Sequence, residues 1–313
     1  MPSVVTAGET MVLGVPAAPG RLRHASSLEL KIGGAESNVA IALSRLGISA
    51  GWVGYLSADE LGQLVLDRIR GEGVDTSQVR RLEGYPTGLY LREKVGQAVR
   101  AYYYRRESAA CAMIPGAFDL DYLEGAKFLH LTGVTPALSE GCRDFVTWAA
   151  EQARQRGILV SFDVNYRSKL WSPEEARECV EEVLPLVDVL LVGDEEALAL
   201  WNRDDEGLLR KLTGAGPREV VLKRGKEGSV ALIREKLFEQ LAFPVTEVDP
   251  VGAGDSFAAG YLAGHLWGLD VAGRLRVASA LGAYSVMTPG DYEGLPDREE
   301  LETLLSGENT LGR

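Results

Sequence analysis

From residue 128 onward, short apolar runs alternate with amphipathic stretches, and this alternation limits the folds open to the chain more than any other feature. Residues 128–132, 159–163, 187–192 and 219–223 read as strands, with helical patterns over 140–156, 173–183 and 194–201. Strand and helix in turn predict a mainly parallel sheet covered by helices on both faces, an α/β fold. In such folds ligands sit past the carboxyl ends of the strands. Polar clusters stand at those ends. Asp163, Asn165, Tyr166 and Arg167 follow one strand, and Gly193, Asp194, Glu195 and Glu196 another. Lys223, Arg224, Gly225, Lys226, Glu227 and Gly228 follow a third, where the chain turns into a strand over 229–233. A strand over 4–7 opens the chain, another covers 52–54, and helices are expected over 59–72, 271–287 and from about 297. The 313 residues show no internal repeat, linker or composition step, so 1–313 reads as one domain.

The most specific chemical signal lies late, in Asp249, Pro250, Val251, Gly252, Ala253, Gly254, Asp255, Ser256 and Phe257. Small residues follow through Gly264, a pattern that predicts a turn feeding a helix over about 255–267. Gly252, Ala253 and Gly254 let the backbone approach a ligand closely. Amide N–H groups and the dipole at a helix start make an anion hole there, and phosphate is its usual guest. Asp255 is the odd member. A carboxylate beside a phosphate cradle repels the ligand unless it has a chemical task, such as taking the proton of a hydroxyl that attacks phosphorus. The plain alternative is a helix cap beside two turn glycines.

A second glycine turn, Gly33 and Gly34, precedes Ala35, Glu36, Ser37 and Asn38 and an amphipathic helix that Gly47 closes. Alone it would be an ordinary turn. Residues 88–93 and 98–105 alternate around a turn at Val95, Gly96 and Gln97, a hairpin that sets Tyr103 and Arg105 on one face and Tyr102 and Tyr104 on the other.

The two glycine motifs, in this order, identify the chain as a member of the ribokinase-like (PfkB) carbohydrate kinases. Residues 249–257 match [DN]-x-[TV]-G-A-G-D-x-F, and residues 33–38 match G-G-x-x-x-N. The resemblance spans essentially the whole chain. Within the family, residues 33–36, 88–93, 102–105, 163–167 and 249–257 look most like 2-keto-3-deoxygluconate kinases. The resemblance implies a ribokinase-like fold with a small β-sheet lid over the sugar, formed by about 11–32 and 86–106. It implies transfer of the γ-phosphate of ATP, with Mg²⁺, to the terminal hydroxyl of the sugar acid. By resemblance, Gly34, Tyr90, Tyr103, Tyr104, Arg105, Arg167, Asp255 and Asp291 meet the sugar. Asn165, Tyr166, Arg167, residues 223–228 and residues 252–255 meet ATP, and Asp255 is the catalytic base. It also raises a homo-oligomer paired through the lid hairpin. Arg105 and Arg167 can bind a carboxylate through paired N–H donors, which a neutral sugar does not require.

One departure concerns the metal. Many members carry Asn-x-x-Glu where this chain has Gly193, Asp194, Glu195 and Glu196. Glu196 keeps the acidic position, but no protein ligand to Mg²⁺ is assigned.

Other classes fit less well. The net charge of −12 disfavours a nucleic-acid partner. No apolar run approaches membrane-spanning length, and residues 1–8 lack the pattern of a signal peptide. Cys111, Cys142 and Cys179 are scattered and odd in number, which suggests buried thiols in a reducing, cytoplasmic setting. No G-x-G-x-x-G follows the first strand, and no Walker loop is present, which argues against a dinucleotide-binding dehydrogenase or a P-loop enzyme. The alternatives left are another PfkB sugar kinase, acting on fructose, ribose or a nucleoside, and a binding regulator without catalysis.

Overall fold

Six strands stand side by side and parallel because their residues are apolar on both faces. They are Ala50–Val53, Val4–Ala7, Phe128–Thr132, Leu159–Asp163, Val189–Gly193 and Glu219–Lys223, in that spatial order. Val4, Val5, Leu129, Val160, Leu190 and Val221 are fully or almost fully buried, as strands between two helical layers must be. Ser229–Ile233 and Lys236–Gln240 extend the sheet antiparallel to eight strands. The computed structural model describes residues 1–18, 20–96 and 98–307, without the Ala98 side chain. Gln97, expected in the hairpin turn, and Pro19, within the expected lid segment, lie outside the described residues.

One helical layer holds Glu140–Gln155, Pro173–Val183, Asp194–Trp201 and Glu206–Gly214. The other holds Ala35–Arg45, Glu60–Gly71, Ala253–Leu266, Val271–Ser285 and Arg298–Ser306. The helix Ala253–Leu266 is buried nearly all round, and its small residues explain how. A Cβ on Gly260 would stand 2.7 Å from the Cα of Ala278, so the glycine lets Val271–Ser285 pack backbone to backbone. A side chain there would cost about 1–3 kcal/mol by overpacking.

Chain order reverses beside Val4–Ala7: the chain leaves it for Ala50–Val53 on one side and later fills the other from Phe128–Thr132 outward. That switch opens a crevice past the carboxyl ends of the strands. Over it lies a separate four-stranded sheet, in the order Leu28–Gly33, Met11–Pro16, Leu89–Val95, Ala98–Tyr104. Tyr90 pairs with Tyr103 in register, so both project from one face, while Leu89 and Tyr104 project from the other.

The expected strands and helices are present within a few residues of their predicted bounds. The helix Glu206–Gly214, the edge strand Lys236–Gln240 and the paired strands Tyr55–Ser57 and Arg80–Leu82 go beyond the predicted set. Cys142 and Cys179 are buried free thiols; Cys111 is free but half-buried.

Candidate active site

The helix begins at Ala253, two residues earlier than expected, with Gly252 as its N-cap. Gly252 has φ +81°, in the left-handed region, and a Cβ there would overlap the carbonyl oxygen of Asp291. Asp255 therefore lies inside the first turn and does not cap the helix. Its carboxylate, 7% exposed, points into the crevice between two amides. Asn38 Nδ2 donates to Oδ2 at 2.8 Å, and Asn165 Nδ2 donates to Oδ1 at 3.1 Å. Asn165 has φ +39° and follows the strand Leu159–Asp163; Asn38 is in the helix that starts after Gly34. The two glycine motifs, 217 residues apart in sequence, thus meet at one carboxyl group.

Burial pushes the Asp255 carboxyl up to about 6, although the Asn38 bond and the charges of Arg167 and Lys223 oppose the shift. A carboxyl with that value is ionised at neutral pH yet holds a proton readily, the property a general base requires. Beside it, Lys223 Nζ lies 2.6 and 2.8 Å from the two oxygens of Asp163, which is 1% exposed. Glu196 is held by the backbone N–H of Gly193 at 2.7 Å and of Tyr166 at 3.2 Å. Gly193 thus contributes its amide where a side chain is absent. Burial raises the Glu196 carboxyl, against the pull of Lys223.

On the other side of Asp255 the small sheet faces the crevice. Tyr90 stacks on Tyr103 with ring centres 5.4 Å apart. Tyr90 donates its hydroxyl to Asp291 at 2.9 Å, and Arg92 contacts Asp291 at 3.4 Å and Asp249 at 3.1 Å. Burial lifts the Asp291 carboxyl to about 6, with Arg92 opposing. Gly34 closes the floor, where a Cβ would overlap the carbonyl oxygen of Glu9.

Arg105, expected to meet the sugar, is buried and already paired. Its Nη2 contacts Glu9, whose other oxygen accepts from Ser108 at 2.8 Å. Its guanidinium also lies 5.9 Å from the Tyr103 ring centre. Tyr104, also expected among the sugar-binding residues, projects from the face of the small sheet opposite Tyr103. Strand alternation turns it to the outer face, where it is 62% exposed. Arg167 is exposed at the crevice, near enough to lower Asp255. Tyr166 is half-buried and donates its hydroxyl to the Trp171 carbonyl. Arg224 is half-buried and Gly228 buried, while Gly225, Lys226 and Glu227 form an exposed short turn between the strands Glu219–Lys223 and Ser229–Ile233.

Glu9, Asn38 as the partner of Asp255, Arg92, Asp249 and the Lys223–Asp163 pair carry no local sequence signal for these contacts. Glu36 is a further unforeseen member. It is fully buried under the crevice, accepts from Thr132 at 2.8 Å and Thr135 at 2.7 Å, and burial raises its carboxyl to about 7. A groove of about 820 Å³ also opens at the amino ends of the strands, lined by Lys127, Arg156 and His265, and contains neither glycine motif. Among the described residues no three His, Cys, Asp or Glu side chains gather as a metal cluster, and no helix is long and apolar enough to cross a membrane.

The arrangement can hold an anion on amide donors and remove a proton from a hydroxyl placed beside it. The chain as a whole is similar to known proteins. A family model described as pfkB family carbohydrate kinase matches residues 1–298. A 2-dehydro-3-deoxygluconokinase of Bacillus subtilis is 36% identical, over 98% of this chain and 96% of its own. A 2-dehydro-3-deoxygalactonokinase of Haloferax volcanii is also 36% identical, over 97% and 96%. An E. coli protein solved in complex with ATP and Mg²⁺ superposes with a TM-score of 0.90, at 26% identity over 98% of this chain and 100% of its own.

Proposed function

This chain belongs to the pfkB family of carbohydrate kinases, and we propose from that premise how its residues phosphorylate a 2-keto-3-deoxy sugar acid. It is an ATP-dependent carbohydrate kinase of the 2-dehydro-3-deoxygluconokinase type, and the acceptor is the terminal hydroxyl of the sugar. One observation carries the mechanism: a raised carboxyl, Asp255, held by two amides in the first turn of a glycine-started helix.

Asp255 takes the acceptor proton as the oxygen attacks phosphorus. Asn38 and Asn165 keep its carboxylate aimed, which limits the reorganisation needed at the moment of reaction. The N–H groups of residues 252–255 stabilise charge on the transferring group. Residues 223–228 and Tyr166 border the nucleotide. Gly34, Tyr90, Tyr103 and Asp291 surround the sugar, and Arg167 lies where phosphate and sugar acid meet. Mg²⁺ supplies charge neutralisation on the phosphates. The metal would be held mainly by nucleotide and water, as Mg²⁺ commonly is. The small sheet acts as the lid, with Arg105 of the segment about 86–106 meeting the sugar carboxylate while Glu9 holds it in place. Closure would exclude water and limit ATP hydrolysis.

Coupled ATP turnover across acidic and neutral sugars tests this reading. Preferred turnover of 2-keto-3-deoxygluconate or its galactonate epimer is the expected result. A neutral sugar as the better substrate would overturn the acid assignment. That competing reading draws support from Arg92 and Arg105, whose charges carboxylates of this chain already balance.

The outer face of the lid carries exposed Leu28, Leu30, Tyr102 and Tyr104. A second copy of this chain pairing there would cover them. Sedimentation of the wild type and of Leu30→Asp tests it: a dimer reduced to monomer supports the pairing, and a monomeric wild type ends it. ATP as donor and three free thiols fit a cytoplasmic enzyme.

A further inference from the structure

Lys223 ends a central strand, yet its ammonium does not lie at the surface. The side chain is 14% exposed, and Nζ donates to both oxygens of the one carboxylate of Asp163. A Cβ built on Gly254 would stand 3.3 Å from Nζ, so the ammonium rests against the backbone of the anion-binding turn. An ammonium has three N–H donors, and Asp163 engages at most two of them. A buried ion pair is costly to desolvate, and an apolar pair of similar volume would hold the fold as well. Here the cation stands beside amide donors in the same turn as Asp255.

We propose that Lys223 is a catalytic cation for the phosphoryl group in flight, and that Asp163 is the positioning residue that holds it there; this rests on the reading of the Asp255 site as a phosphoryl-transfer centre. As the acceptor oxygen bonds to phosphorus, the bond from phosphorus to the bridging oxygen breaks. The acceptor proton passes to Asp255, and the electron pair of the broken bond leaves with ADP. Negative charge gathers on the bridging and equatorial oxygens in that step. Lys223 offers them a donor that is already in place and already sheltered from water. The nearness of Gly254 gives that residue a second constraint, since a side chain there would separate the ammonium from the phosphate.

The test compares Lys223→Met, Lys223→Arg and Asp163→Asn, using whichever acceptor the wild type turns over. The first readout is the division between kcat and KM. The second is affinity for ADP alone and for ADP with aluminium fluoride and the sugar, a mimic of the group in flight. Lys223→Met should lose about 100-fold in kcat and a similar factor in affinity for the mimic. Its affinity for ADP alone should change less than about threefold, and Lys223→Arg should recover part of the loss. Asp163→Asn leaves the cation present and should cost under about tenfold.

The proposal is overturned if kcat of Lys223→Met stays within about threefold of wild type. It is also overturned if affinity for ADP and for the mimic fall together, or if Asp163→Asn loses as much as Lys223→Met. Should Lys223→Met fail to fold with Asp163 left unpaired, Lys223→Met with Asp163→Asn removes both charges and carries the same comparison. If the wild type itself phosphorylates no sugar, the phosphoryl-transfer reading fails. If it does so and Lys223→Met is unaffected, only the role of Lys223 fails.

Discussion

Replacing Asp255 by asparagine should abolish turnover and stabilise the protein at the same time. Burial carries this carboxyl from 3.8 to about 6. A carboxyl that binds its proton more tightly folded than unfolded weakens the fold once it ionises. The cost is absent below about pH 4, develops between 4 and 6, and is complete above 6. At 1.36 kcal/mol per pKa unit, a change of about two units is worth up to about 3 kcal/mol. Asparagine carries no charge and is free of that cost. The new amide would find partners, because Oδ1 of both Asn38 and Asn165 is buried without a hydrogen bond. Rotating either side-chain amide presents that oxygen to the new N–H group. For a chain of 313 residues, 3 kcal/mol corresponds to about 5 °C in Tm. Calorimetry of both proteins at pH 4 and pH 8, beside coupled ATP turnover, reads the two effects. Expected are a kcat at least about 1000-fold lower, a Tm gain at pH 8, and little or none at pH 4. Equal Tm changes at the two pH values would refute the electrostatic reasoning, and near-normal turnover would remove Asp255 as the base.

Other outcomes follow from the same geometry. Turnover should fall as pH drops through about 6, because protonated Asp255 cannot accept a proton; the limb should persist in Asp291→Asn, whose carboxyl lies in the same range. Gly252→Ala should cost about 1–2 kcal/mol for its left-handed φ and about 1–3 more for the overlap with Asp291, read as a loss in Tm together with activity. Glu9→Ala leaves Arg105 buried and unpaired, a cost of about 3–5 kcal/mol in urea unfolding, which Glu9→Ala with Arg105→Met should largely restore. Arg105→Ala should raise KM for a sugar acid more than for a neutral sugar; equal rises would remove its assignment to the substrate carboxylate.

Much of the frame was legible because its causes are local. Apolar runs of strand length followed by amphipathic periods leave a layered α/β sheet as the economical way to bury both. The turn at residues 249–257 was legible because a backbone that must approach an anion closely tolerates only small residues. The opposite facing of Tyr103 and Tyr104 is legible from strand alternation alone, and the register places them so. The helix Glu206–Gly214 also has local causes, an Asp205 cap and apolar residues at Leu208, Leu209 and Leu212. The strand Lys236–Gln240 lies at a sheet edge, half in solvent, where no strong pattern is imposed.

The sequence by itself determined the layered fold, the two glycine turns and the identity of the lone carboxylate beside them, since each depends on residues within a few positions of one another. Only the tertiary structure decided how the charges pair. Asn38 reaches Asp255 across 217 residues, Glu9 reaches Arg105 across 96, and Asp163 reaches Lys223 across 60. Electrostatic partnership depends on distance in space and on exclusion of water, and neither is written in the spacing of residues along a chain.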